Sequence, residues 1–152
     1  MTHRALMAAM RIEDADDPDE VKRKISINTS VAYCDWKGHH INIVDTPGYG
    51  DFIADARAGL RVVEAALVIV DAVAGVQVQT EKVWEAAAEL NLPRLVVLNR
   101  IDRERASLER SLQSLREACS RAVIPIQLPI GEERSFRGVV DLIGRRAFLF
   151  QD

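Results

Sequence analysis

Cysteine and histidine are scarce in this chain, with two of the first and three of the second. Cys34 and Cys119 stand far apart and without metal-ligand spacing, so they read as free thiols of a reducing cytosol and exclude a disulfide framework. His3, His39 and His40 likewise form no ligand pattern. No apolar run approaches the length of a membrane span, and the first residues lack the apolar core of a signal peptide. The net charge is −3, which gives no global attraction to naked nucleic acid or an acidic membrane. There is no internal repeat, no low-complexity tract, and no Gly-x-Gly-x-x-Gly turn of the kind a dinucleotide-binding fold places after its first strand. What is present is 152 residues, 48% of them hydrophobic, enough for one domain with a core of its own.

The periodicity alternates between strand and helix. Thr29–Trp36 sets Val31 and Tyr33 against Ala32, Cys34 and Trp36, a two-residue period. Lys37-Gly38 then makes a tight turn into His39–Asp45, so an antiparallel hairpin is expected, with Trp36 as core or edge packing. Phe52, Ala56, Leu60 and Val63 recur at helical spacing. The run Ala65–Ala72 is apolar without alternation, as in a parallel strand covered on both faces, and Gly75 breaks it. Thr80 is expected to cap a helix through Leu90, with Val83, Trp84 and Ala87 inward, and Pro93 to end it. Ser107 is expected to cap a helix with Leu108, Leu112, Leu115 and Cys119 on one stripe. Two prolines demote the run Val123–Gly131 to an edge strand. The fold class is therefore α/β: a doubly wound, mostly parallel sheet with one antiparallel edge hairpin.

Two strand ends carry chemistry. Ile41-Asn42-Ile43-Val44 runs into Asp45-Thr46-Pro47-Gly48. An aspartate at a strand end can hold Mg²⁺ through water, because a hard cation prefers oxygen. Three residues on, Gly48 has no side chain to keep a phosphate oxygen from its N–H. The plain alternative is a strand that ends in a Pro-Gly turn. Leu95–Leu98 runs into Asn99-Arg100-Ile101-Asp102, which repeats the arrangement. The Asp102 carboxylate can accept from the N1 and N2 donors of guanine, a pair that adenine lacks, while Asn99 bonds the opposite edge. The alternative there is an Asn/Asp pair capping the next helix.

With Asp-x-x-Gly and Asn-x-x-Asp in this order, each after an apolar strand, the chain resembles the GTP-binding domain of the translational GTPases, elongation factor G most closely. The resemblance runs from about Asp17 to the C-terminus. It implies a P-loop GTPase-like fold, GTP or GDP with Mg²⁺ as ligands, and the ribosome as the partner of the intact protein. It gives Asp45, Thr46, Pro47, Gly48, Asn99, Arg100 and Asp102 to the nucleotide, and Asp45 and Ser26 to the metal. Ser26 stands in Lys24-Ile25-Ser26-Ile27, where the family has Gly-Ile-Thr-Ile, and keeps the hydroxyl. Tyr49, with Gly48, takes the catalytic position, where the family's elongation factors place a histidine that orients the attacking water. A phenol with a pKa near 10 is no general base at neutral pH, though it can orient water; the alternative is an exposed loop aromatic. Arg100 replaces the family's lysine, keeping a long stem and the charge but not the head geometry.

The family's phosphate loop, Gly-x-x-x-x-Gly-Lys-[Ser/Thr], occurs nowhere in the chain. The chain is thus expected to be a middle piece, truncated at both ends and weak or inactive alone. Residues 1–20 form an acidic segment, solvated and mobile or else the first switch loop; 21–120 form the partial GTP-binding core; 121–152 open an inserted subdomain. The expected function is the GTP-binding part of a cytoplasmic elongation factor that couples GTP hydrolysis to ribosomal translocation or a related step. No membrane and no sequence-specific nucleic-acid contact is expected. The competing reading is a degenerate, non-catalytic GTPase-like binding module or an inactive truncated product.

Overall fold

The computed structural model describes residues 11–13, 29–48, 50 and 53–150. Ser26, Tyr49, Phe52 and all of 1–20 except 11–13 lie outside the described residues, as does Lys24. The chain divides into two units, Met1–Glu64 and Ala65–Asp152.

In the first unit β1 (Arg11–Glu13), β2 (Ser30–Trp36) and β3 (His39–Asp45) form an antiparallel sheet in that order. The β2–β3 hairpin pairs Ser30 with Asp45 through to Trp36 with His39. Its two-residue turn, Lys37 at φ 48° and Gly38 at φ 79°, has the positive angles that match the twist of antiparallel strands. Opposite each other near that end, His40 Nδ1 lies 2.8 Å from Asp35 Oδ1. Trp36 does not enter a core. It is 45% exposed, with the Lys37 ammonium 5.8 Å from its ring centre, because the hairpin end carries it past the packed part of the strand. The helix α1 (Ile53–Leu60) buries Ala56, Gly59 and Leu60. A Cβ built on Gly59 would lie 2.9 Å from Thr46 Cγ2 and 3.4 Å from Val44 Cγ1, so glycine lets this helix sit directly on the end of β3.

In the second unit β4 (Ala66–Asp71) and β5 (Arg94–Asn99) pair in parallel, from Ala66 opposite Arg94 to Asp71 opposite Asn99. Between them runs α2 (Val78–Glu89), and after them α3 (Leu108–Ala118). Val68, Val70, Trp84 and Leu115 form the core, with Val76, Val96, Leu98, Cys119 and Val123 packed against it. The expectation that β4 is covered on both faces fails among the described residues. Ala66, Val68 and Val70 are buried, whereas Leu67 is 59% and Ile69 62% exposed. Their register partners Leu95 and Val97 on β5 are exposed as well. Both faces are apolar, so residue identity could not show the alternation that packing imposes.

Helix ends depart from expectation in an instructive way. Thr80 is not the N-cap of α2; the cap is Gln77, and Thr80 stands at the third helical position, its Oγ1 accepting from the Gln77 N–H at 3.3 Å. The hydroxyl reaches back instead of forward, as in a capping box. The helix ends before Pro93, because Asn91 adopts φ 55° and lets its own N–H reach Ala88 O at 2.9 Å and that of Leu92 reach Ala87 O at 3.0 Å. This pair of bonds satisfies carbonyls that the last turn leaves open. Ser107 does cap α3, its Oγ accepting from Arg110 N–H, and Leu115 on the expected stripe is 1% exposed. Two serines on that helix fix the loop after β4: buried Ser111 Oγ donates to Ala72 O at 3.3 Å, and Ser114 Oγ accepts from Val76 N–H at 3.1 Å.

The rest of this unit is an antiparallel sheet, β6 (Gln127–Ile130), β7 (Gly138–Asp141) and β8 (Arg146–Leu149), in that order. Pro129 lies in β6, which is an edge strand as the prolines required. The described sheets are thus three short ones, with one parallel pair.

Candidate functional site

The first candidate group belongs to the first unit. Asp45 is the last residue of β3 and is exposed; Thr46 is half-buried, Pro47 buried and Gly48 exposed. Thr46 is steadied by α1, whose Gly59 admits its methyl at close range. Among the described residues nothing lies within 4 Å of a Cβ built on Gly48, so this side of the residue is open. Among the described residues no group of three or more His, Cys, Asp or Glu is placed to hold a metal. That does not disqualify Asp45 for Mg²⁺, which keeps several waters and takes one or two carboxylates plus substrate phosphates. The donor set proposed from sequence, a carboxylate and the Ser26 hydroxyl, is hard oxygen throughout and fits the ion. Ser26 and the catalytic candidate Tyr49 lie outside the described residues.

The second group belongs to the second unit and is built on the carboxyl ends of the parallel pair, the edge where open α/β sheets take ligands. Asn99 ends β5 opposite Asp71, which ends β4. Asn99 Oδ1 accepts from the Arg100 N–H at 2.9 Å, which orients the amide with its NH₂ as the donor end. Arg100 sits at φ 61° and starts a turn in which Arg103 N–H reaches Arg100 O at 3.1 Å. That turn separates Asn99 from Asp102, which is exposed. A non-glycine residue in the left-handed region is strained by about 1 kcal/mol or more, and such strain gathers at functional loops.

The Arg100 guanidinium turns back across the sheet edge. Its Nη1 lies 2.8 Å from Asp71 Oδ2, while Asp71 Oδ1 accepts from Val73 N–H at 2.8 Å and Ala74 N–H at 3.2 Å. The Val73 amide, then Arg100, then the Ala74 amide hold the Asp71 carboxyl below its ordinary pKa, against a smaller opposing effect of burial. The sequence reading missed Asp71. The signal was available, since Asp71 ends an apolar strand just as Asp45 and Asn99 do.

Residues 3–142 match the family profile of the elongation factor Tu GTP binding domain. The chain is 40% identical over 134 residues to an elongation factor G-like protein of Thermotoga maritima, an alignment covering 88% of this chain and 20% of that protein. It is 42% identical over 132 residues to elongation factor G of Granulibacter bethesdensis, covering 87% and 19% respectively. A crystal structure of a Thermus thermophilus protein superposes with a TM-score of 0.81 at 35% identity, over 90% of this chain and 20% of that one. The chain therefore spans about a fifth of the length of these relatives. No described helix is long and apolar enough to cross a membrane.

Proposed function

Because this chain belongs to the elongation factor Tu GTP-binding domain family, we propose that it is the guanine-nucleotide-binding part of a cytoplasmic elongation factor G-like GTPase. The parent would couple GTP binding and hydrolysis to ribosomal translocation or a related ribosome step. The observation that carries this reading is the sheet edge at which Asn99 and Asp102 flank the Arg100 turn. Asn99 and Asp102 read the two edges of guanine, and Arg100 lies along the ring. Asp45, with Ser26, would hold Mg²⁺, which when bound supplies positive charge to the phosphates. Thr46 and Pro47 shape the turn that presents the Gly48 N–H to the terminal phosphate, and Tyr49 orients the attacking water. The fold proposed for the complete domain is the doubly wound, mostly parallel sheet to which the β4–β5 pair belongs. The antiparallel sheet β6–β8 supports reading 121–152 as the start of an inserted subdomain.

A second reading, a guanine-binding module without hydrolysis, is favoured by Tyr49 in the position that the family gives to histidine. The two readings share the base site, so that site is tested first. The chain, 16.9 kDa, is titrated with millimolar GDP or ADP in Mg²⁺ and followed by amide NMR. Saturable shifts of Asn99, Ile101 and Asp102 with GDP and not with ADP are expected. Equal shifts with both nucleotides, or GDP shifts confined to other amides, overturn the assignment.

A further inference from the structure

We propose that Asp71 is a positioning residue of the guanine site, holding the Arg100 guanidinium flat across the carboxyl edge of β4 and β5 as a floor for the base. The inference rests on the base site proposed above and adds a residue that neither strand-end motif contains. Asp71 and Asn99 are register partners, so the carboxylate stands beside the first residue of the guanine motif. Two backbone N–H groups pin one carboxylate oxygen, and the other takes Arg100 Nη1 at 2.8 Å. The turn behind it is closed by Gly75 N–H to Asp71 O at 2.8 Å and tied to α3 by Ser111 and Ser114. Asp71 is therefore the anchored partner and Arg100 the more exposed one: its side chain is 51% exposed against 29% for Asp71. A planar guanidinium can stack on a purine face, which the compact ammonium of lysine cannot do. Held by Asp71, that group is tied to the end of β4, whose register partner is Asn99.

Asp71→Asn separates this role from a structural one. Asparagine keeps an oxygen for the Val73 and Ala74 amides and so keeps the turn, but loses the charge that holds Arg100. A pair this exposed is coupled weakly, so GDP affinity is expected to fall about threefold in Asp71→Asn. Arg100→Ala is expected to fall by as much or more, and adding Asp71→Asn to it should change nothing further. In the unaltered chain the Arg100 Nε–H resonance should move when GDP is added; in Asp71→Asn it should not. Equal losses from Asp71→Asn with and without Arg100, or an Arg100 signal indifferent to Asp71, would show that Asp71 acts through the turn alone and overturn the inference. Failure of the unaltered chain to prefer GDP over ADP would overturn the base site itself and this inference with it, a result distinct from additive losses.

Discussion

Leu115→Ala and Leu67→Ala decide whether β4 is packed on one face or on two. Leu115 is 1% exposed and joins Val68, Val70 and Trp84 in the core, so truncation removes a full set of apolar contacts and leaves a hole. Such a change costs about 3–5 kcal/mol. Leu67 is 59% exposed and loses far less, about 1 kcal/mol, in proportion to the smaller part of its side chain that is covered. Urea unfolding followed by Trp84 fluorescence measures both, since Trp84 lies in the same core and is 9% exposed. Trp36→Phe, at an exposed position, removes the competing signal. At a urea slope of about 1.5 kcal/mol per molar, the midpoint should fall by about 2–3 M for Leu115→Ala and by about 0.7 M for Leu67→Ala. Comparable shifts for the two variants would refute the one-faced sheet and restore the sequence expectation of a strand buried on both sides.

Asp102→Asn should lower affinity for GDP and raise it for xanthosine diphosphate, because an amide can donate to the xanthine carbonyl where the carboxylate accepted from the guanine amine; competition binding with both nucleotides checks it, and an unchanged preference would remove Asp102 from the base site. Gly59→Ala should lower the melting temperature although alanine favours helix by about 1 kcal/mol, since its methyl would meet Thr46 at 2.9 Å and Val44 at 3.4 Å; a raised melting temperature would show that α1 does not press on the end of β3. Burial, then the Glu81 carboxylate, raise the Cys119 thiol above its ordinary pKa, against the Arg94 guanidinium. Cys119 should therefore alkylate more slowly than a free thiol near pH 8 and gain rate as pH rises into the range where its thiolate forms, as mass spectrometry of timed iodoacetamide reactions will show.

Several features were legible in the chain because their causes are local. The Lys37-Gly38 turn and the two-residue period on either side of it specify the hairpin; Ser107 marks the start of α3; Pro129 consigns β6 to an edge. Asp45, Gly48, Asn99 and Asp102 could be nominated for a related reason, since each motif needs few residue types at short spacing after an apolar strand. Helix ends were read less well. Thr80 and Asn91 each have more than one way to satisfy an open backbone group, and sequence does not say which is used.

Tertiary structure alone decided which side of β4 is inside, because Leu67 and Val68 are equally apolar and only the placement of α2 and α3 distinguishes them. It also decided the pairing of Asp71 with Arg100 and of Ser111 with Ala72, contacts between residues 29 and 39 positions apart. The sequence by itself carried the two strand-end motifs from which the ligand is proposed, because a motif is a property of side chains and short spacings. The structure determined which of those side chains are held and by what, because that depends on parallel strands ending in register.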